Sequence, residues 1–278
     1  MLNAVIFGAG SAGKNIYLNA SKKYNILAFT DNDSRKWCRG GYGLNVISPN
    51  EAVSLKADMY IIATLPGLKA IKKQLLDAGI SESQIDDSFV IAPLESRRIF
   101  LENLSVIMKE ANEEGAVAEA GVFEGDFAEY INEYYPNKIL HLFDTFNGFD
   151  ERNIKAEKKF SSASTGDYSN TSIDMVMKKM KHPDMVVIHQ GFFPDTSKDI
   201  NERFCFVNLD LDLYEPTLAG LLFFENKMSK NGVILVHDYY ATNFKGPKEA
   251  VKNFLKERPN TKIFPIGDGL SVMVLVEK

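Results

Sequence analysis

The run Val207-Asn208-Leu209-Asp210-Leu211-Asp212-Leu213-Tyr214-Glu215-Pro216-Thr217 and its counterpart Val233-Ile234-Leu235-Val236-His237-Asp238-Tyr239-Tyr240 decide how this chain is read. Each is a short apolar strand that ends in carboxylates, and an open parallel α/β sheet keeps its ligands in the crevice outside the carboxyl ends of its strands. Residues two apart on a strand point the same way, so Asp210 and Asp212 face one crevice unless a turn at the strand end redirects one of them. With Asp238 they form a carboxylate set suited to a hard divalent cation. Asp212 has a competing reading as the N-cap of the amphipathic run from Tyr214, because Asp is favoured at N-caps. That reading accounts for one acid of the three.

The same pattern extends outward. Apolar strands at Ala116-Val117-Ala118-Glu119, Ile139-Leu140-His141-Leu142-Phe143, Met185-Val186-Val187-Ile188 and Phe204-Cys205-Phe206-Val207 alternate with helical stretches, which implies a parallel sheet. Two further strands, Lys262-Ile263-Phe264 and Ser271 to Val276, flank Gly267-Asp268-Gly269, a hairpin signal. The sheet therefore finishes with its last strand reversed. Residues 1 to about 92 alternate in the same way. Strands fall at Ala4-Val5-Ile6-Phe7, Ile26-Leu27-Ala28-Phe29, Met59-Tyr60-Ile61-Ile62-Ala63 and finally Phe89-Val90-Ile91. Ser48-Pro49-Asn50-Glu51 reads as a helix start with a capping box. Pro93 interrupts the pattern, and a charged amphipathic stretch over 96–114 follows it. The chain is thus expected to be α/β, with two Rossmann-like domains over 1–95 and 96–278. The apolar face of 96–114 suits a homodimer or packing on its own domain. The segment Asn147 to Thr171, rich in Ser, Lys, Asn and Gly, reads either as a mobile loop over a site or as a solvated insertion.

A length of 278 residues favours two modest domains. The formal charge of -5 and the lack of any Lys/Arg block argue against a nucleic-acid surface. No apolar run reaches the length needed to span a bilayer. Met1 to Phe7 is too short for a signal peptide and lacks its basic start, so the expected location is cytoplasmic. Cys38 and Cys205 lie in unrelated contexts and do not form a disulfide framework.

Two glycine loops carry the ligand chemistry. Gly8-Ala9-Gly10-Ser11-Ala12-Gly13 follows a strand and opens a helix, where Gly8, Gly10 and Gly13 let a pyrophosphate approach backbone N–H groups. Asp31 ends the next strand at the distance of a ribose-binding acid. The alternative is a domain that keeps its glycines for tight packing. The second loop, Glu119-Ala120-Gly121-Val122-Phe123-Glu124-Gly125, has an acidic entry that repels pyrophosphate and attracts a sulfonium or an amino group. Asp144, closing the following strand, is placed for ribose hydroxyls. Together these acids fit S-adenosylmethionine better than a dinucleotide. His189-Gln190-Gly191-Phe192-Phe193-Pro194-Asp195 offers a glycine and aromatic rings to an adenine.

From about residue 100 onward the chain resembles the macrocin O-methyltransferase family, metal-dependent sugar methyltransferases of antibiotic pathways. The matching stretches are Gly121-Val122-Phe123-Glu124-Gly125, Phe143-Asp144-Thr145-Phe146-Asn147-Gly148-Phe149, Gly191-Phe192-Phe193-Pro194-Asp195-Thr196, the Asp210 to Thr217 run and His237-Asp238-Tyr239. The resemblance implies a class I methyltransferase fold in the second domain. It implies that Glu119, Gly121, Gly125, Asp144, Ser172, Gly191 and Phe192 border S-adenosylmethionine. It also implies that Asp210 and Asp238 hold a divalent ion, usually magnesium, and that Asp212 is the general base. In one departure, His237-Asp238 stands where the family carries two consecutive aspartates. An imidazole suits manganese or another transition metal better than magnesium. His237 is read as a ligand, with a role behind the ligands or inside the sheet as alternatives. The other histidines, His141, His182 and His189, show no ligand spacing and are read as structural. The first domain resembles small nucleotide-sugar-binding domains attached to sugar-modifying enzymes.

These features imply methyl transfer to a hydroxyl of a sugar or nucleotide-linked sugar. Three rivals share parts of the pattern: a catechol-type methyltransferase, an NAD-dependent sugar oxidoreductase acting through the first glycine loop, and a non-catalytic sugar-nucleotide binder.

Overall fold

The computed structural model describes residues 1–38, 42–65 and 67–275, so Val276 of the expected last strand lies outside the described residues. The chain divides into two compact units, Met1–Leu94 and Glu95–Lys278.

The first unit is built on strands β1 (Asn3–Phe7), β2 (Asn25–Thr30), β3 (Val46–Ile47), β4 (Met59–Ile62) and β5 (Ile85–Asp86), with helices α1 (Ser11–Ala20), α2 (Pro49–Ser54) and α3 (Leu68–Asp77). Its sheet is parallel throughout, in the order β3-β2-β1-β4-β5. Ala4, Val5, Ile6 and Phe7 of the central strand are all buried, the continuous apolar run that a strand covered on both faces requires. The capping box at the start of α2 is present: Glu51 N–H donates to Ser48 Oγ, and Ser48 N–H donates to Glu51 Oε2 at 2.8 Å.

The expected strand at Phe89-Val90-Ile91 is instead the first turn of α4 (Ser88–Glu110), which also contains Pro93. Asp86 Oδ1 accepts from Ser88 N–H at 3.0 Å and from Ser88 Oγ, capping the helix. A short apolar run has no decisive period of its own, and this acid settles it as helix.

The second unit contains β6 (Ala116–Ala120), α5 (Asp126–Tyr134), β7 (Leu140–Asp144), α6 (Glu151–Glu157), α7 (Ile173–Met177), β8 (Val186–Gln190), β9 (Phe204–Leu209), α8 (Tyr214–Glu225), β10 (Met228–Val236), α9 (Gly246–Lys256), β11 (Lys262–Pro265) and β12 (Val272–Leu275). Its seven strands run in the order β11-β12-β10-β9-β6-β7-β8. The pairs among β6 to β10 are parallel, while β12 is antiparallel to both β10 and β11. The last strand in the chain is therefore the reversed one, inserted beside the edge. In the turn before it, Asp268 accepts from Leu270 N–H at 2.9 Å and Ser271 N–H at 2.7 Å, which closes the hairpin with its own side chain. Two apolar layers sandwich the sheet. One centres on Phe143, Phe204, Leu221, Phe224 and Phe254, the other on Leu101, Ile131, Leu142, Phe206 and Leu235.

The segment from Asn147 to Thr171 is neither featureless nor purely solvated, since it contains α6 and the buried Glu157. Cys38 and Cys205 are both free thiols. Among the described residues no helix is long and apolar enough to cross a membrane.

Candidate active site

Hydrogen bonds just beyond the strand ends line up the predicted site residues along one edge of the second sheet. Gly191 N–H donates to Asp144 O, Gly121 N–H to Phe143 O, Asp210 N–H to Ala120 O and His237 N–H to Leu209 O, all at 2.8–2.9 Å. The ends of β8, β7, β6, β9 and β10 are thus stitched in sequence, with the glycine loops on one side and the acids on the other. Gly121 has φ +86, and a Cβ built on it would lie 1.9 Å from the Asp210 carbonyl oxygen. Only glycine fits there, because the Asp210 segment passes directly against the glycine loop after β6.

On the cofactor side, Asp144 Oδ2 accepts from Val122 N–H at 2.7 Å and Phe123 N–H at 3.0 Å, while Oδ1 accepts from Phe146 N–H at 2.7 Å. Oδ1 has room for a second donor such as a ribose hydroxyl. Gly125, at φ +81, is the N-cap of α5. Ser172 caps α7, accepting from Met175 N–H at 3.2 Å. Phe192 presents one ring face to the Arg152 guanidinium at 3.5 Å.

Glu119 is buried, and Asn208 Nδ2 donates to its Oε1 at 2.7 Å. Its Oε2 has no hydrogen-bond partner among the described residues. Burial first, and then the charge of Asp210, push this carboxyl up to about 8. A buried acid with an unused oxygen beside a glycine loop fits a cationic donor molecule.

On the acid side, Asp210 Oδ1 lies 3.1 Å and Asp238 Oδ1 3.3 Å from His237 Nδ1, and one ligand atom from each residue falls within 4.8 Å of the others. His237 Nδ1 is buried without hydrogen-bond geometry to either carboxylate. Asp212 and Asp238 both have left-handed backbones, with φ 58 and φ 56. Such conformations are uncommon for residues other than glycine and concentrate at functional sites.

Electrostatics divides the four residues. Burial raises Asp210, but His237 and Arg97 outweigh it and hold the carboxyl well below its usual range. Burial, Asp238 and Asp210 all push Asp212 well above that range. Burial and Arg97 oppose protonation of His237, yet Asp210 and Asp238 prevail and lift it to about 9. The polypeptide thus arranges two carboxylate oxygens around a nitrogen that attracts a positive charge. A divalent cation with mixed oxygen and nitrogen ligands fits that donor set.

Three contributors were not foreseen from the sequence. Arg97 of α4 is buried, with Nη2 donating to both Asn208 Oδ1 and Asp210 Oδ2 at 2.9 Å and its guanidinium 3.9 Å from the Phe127 ring centroid. Asn208 then passes the connection to Glu119, so one chain of contacts joins the two halves of the site. Glu157 Oε2 accepts from Tyr214 N–H at 2.8 Å and caps α8. The cap residue by position is Leu213, without a side-chain bond, so Asp212 is not the cap and is left available to the cluster. The third is an aromatic group: Tyr168 packs edge-on against Phe123 and Phe149 with centroids 5.2 Å apart, and Phe244 lies 6.3 Å from Phe149. After burial, the charges of Asp212, Asp238 and Asp210 raise the Tyr168 hydroxyl, placing this ring in the field of the acids.

In the first unit, Gly8 has φ +119, and a Cβ on Gly13 would lie 1.8 Å from Gly8 O, while the space around Gly10 is open. Asp31 Oδ2 accepts from Ala9 N–H at 2.9 Å and from Lys36 Nζ at 2.8 Å, and Oδ1 accepts from Asp33 N–H at 2.9 Å. The acid expected to meet a ribose therefore also ties the glycine loop to the turn after β2.

A seven-stranded sheet with this order and one reversed strand, a glycine loop after its first strand and an acid closing its second define a class I S-adenosylmethionine-dependent methyltransferase. Residues 84–269 match the macrocin-O-methyltransferase (TylF) family, and the chain belongs to that family of O-methyltransferases. Residues 1–86 match a second family, described as C2185-like, N-terminal. Among solved structures, the chain is similar to the O-methyltransferase NovP, with 19% identity, a TM-score of 0.55, and coverage of 66% of this chain and 80% of that one. It is also similar to CalS11, a calicheamicin methyltransferase, with 16% identity, a TM-score of 0.57, and coverage of 77% and 93%. At these identities the likeness is one of fold. No curated protein matches the chain in sequence.

Proposed function

We propose that the chain transfers the methyl group of S-adenosylmethionine to a hydroxyl of a sugar or nucleotide-linked sugar, with a divalent cation at Asp210, His237 and Asp238 and with Asp212 as general base. The observation that carries this reading is the cluster itself, in which His237 Nδ1 lies 3.1 Å from Asp210 Oδ1 and 3.3 Å from Asp238 Oδ1, with one ligand atom of each residue within 4.8 Å of the others. A cation held there would supply a Lewis acid, which could bring a hydroxyl-type pKa from ~15.7 toward ~7 in the best case. Asp212, beside it, accepts the hydroxyl proton. As the oxygen bonds to the methyl carbon, the carbon–sulfur bond breaks and its electron pair leaves with sulfur. Glu119 and Asp144, on either side of the Gly121 loop, hold the donor. The rings of Phe149, Tyr168 and Phe244 offer an apolar wall to the C–H face of an acceptor sugar. Magnesium is the ion the family implies, while the imidazole favours manganese or another transition metal.

The test is methyl transfer from labelled S-adenosylmethionine to a panel of nucleotide sugars and diphenols. Transfer to sugars that stops in chelator and returns with manganese or magnesium is expected. Turnover that persists after chelation would remove the cation, and activity on diphenols alone would replace the sugar.

The first unit is proposed to bind the nucleotide part of such a substrate through Gly8, Gly10, Gly13 and Asp31. In a titration with nucleotide sugars, Gly13→Ala is expected to abolish binding to this unit, since its Cβ would collide with Gly8 O. Unchanged affinity in a folded Gly13→Ala protein would place the nucleotide elsewhere.

A further inference from the structure

His141 and His189, 48 residues apart, meet on the face of the second sheet where β7 and the edge strand β8 lie side by side. His141 Nδ1 is 2.9 Å from His189 Nε2, and the two rings lie within 5° of parallel. His141 is buried, and its other nitrogen, Nε2, has no hydrogen-bond partner among the described residues. That nitrogen lies 3.2 Å from Glu202 Oε2. The cluster lines a depression of about 580 Å³ together with Val187, Asp199, Ile200 and Asn201.

The tautomers explain why this arrangement calls for a cation. The contact between the rings needs one proton, carried by either His141 Nδ1 or His189 Nε2. If His141 donates it, Nε2 presents a lone pair 3.2 Å from a carboxylate oxygen, so both atoms are acceptors that a cation off the line between them can share. If His189 donates it, the His141 Nε2–H lies outside hydrogen-bond geometry to Glu202 and is a buried donor left unsatisfied. Burial lowers the pKa of both imidazoles, so neither is expected to take a second proton at neutral pH. Tetrahedral zinc, with Zn–N of about 2.0–2.1 Å and Zn–O of about 2.0–2.2 Å, spaces adjacent nitrogen and oxygen ligands by roughly 3.3–3.5 Å. The observed 3.2 Å needs only a slight adjustment.

We propose that His141 Nε2 and Glu202 form the protein half of a second divalent transition-metal site, apart from the methyl-transfer centre. His189 is a positioning residue: it accepts the His141 Nδ1 proton and thereby directs the Nε2 lone pair at the metal, the role a hydrogen-bonded partner plays behind metal-bound histidines.

The test is a zinc titration of the chelator-treated full chain, with Glu202→Gln and His189→Gln compared with the parent by calorimetry and by the visible spectrum after cobalt substitution. Glu202 is exposed, so Glu202→Gln is expected to fold and to keep its affinity for S-adenosylmethionine while losing one zinc equivalent. His189→Gln is expected to weaken zinc at the same site by about 10–100-fold. A parent protein that binds no zinc equivalent sensitive to Glu202, or a Glu202→Gln protein with unchanged stoichiometry, would reduce the cluster to a hydrogen-bonded imidazole pair.

Discussion

Asp212→Asn is expected to lower kcat by about 10²–10⁴-fold, the usual contribution of a general base, while leaving S-adenosylmethionine binding and the melting temperature close to those of the parent. The separation of effects comes from the position of the residue. Burial, Asp238 and Asp210 push Asp212 well above the usual carboxylate range in the free protein, and a cation at Asp210 and Asp238 would offset their charge and favour the carboxylate that a base needs. An asparagine amide has nearly the shape of the carboxyl and brings no charge into the cluster, so the fold is expected to tolerate it. What it cannot do is accept a proton. Were Asp212 a helix cap instead, its removal would cost about 0.5–2 kcal/mol of stability, but Glu157 does that work for α8. Turnover and a calorimetric titration with S-adenosylmethionine settle the matter. Near-normal kcat would remove Asp212 as base, and a loss of cofactor binding would show that it shapes the pocket.

What could be read from the sequence was what local signals encode. Apolar runs ending at Asp144, Asp210 and Asp238 have strand character, and strand ends are where such sheets place ligands, so the sequence alone groups these acids. The Gly267-Asp268-Gly269 turn announced the reversed β12 in the same way. The partners that complete the site carry no such mark. Arg97 reaches Asp210 across 113 residues and Glu157 reaches Tyr214 across 57, one from an amphipathic helix and one from a segment read as loop. Breaking a buried ion pair by removing one partner typically costs ~3–5 kcal/mol, so Arg97 matters to the cluster although nothing in Glu95-Ser96-Arg97-Arg98 distinguishes it from a surface arginine. His141 and His189 were hidden likewise, because the spacing that brings them together belongs to the pairing of β7 with β8. Phe89 to Ile91 failed for a different reason. Three apolar residues satisfy helix and strand alike, and the decision lay with the Asp86 cap beside them.

Gly121→Ala is expected to weaken S-adenosylmethionine and divalent-cation binding together and to lower turnover by ~10²-fold, the scale associated with a displacement of about 1 Å at a reacting centre. The added methyl would meet the Asp210 carbonyl, with oxygen at 1.9 Å and carbon at 2.6 Å, in a backbone conformation of φ +86. The left-handed conformation alone costs roughly 1–2 kcal/mol for an alanine. The collision is worse, since neither partner is a flexible side chain. If the glycine loop yields, the Val122 and Phe123 N–H groups leave Asp144 and the cofactor cradle opens. If the Asp210 segment yields, Oδ1 moves away from His237 Nδ1 and the cation site spreads. The sheet holds both, through Gly121 N–H to Phe143 O and Asp210 N–H to Ala120 O, so strain at one is transmitted to the other. Two separate titrations of the variant, one with S-adenosylmethionine in chelator and one with manganese alone, measure the two losses. A variant that lost cofactor affinity but bound manganese like the parent would show that the loops move independently. A paired loss would show that this backbone contact is what keeps the methyl donor and the cation-binding carboxylates in register.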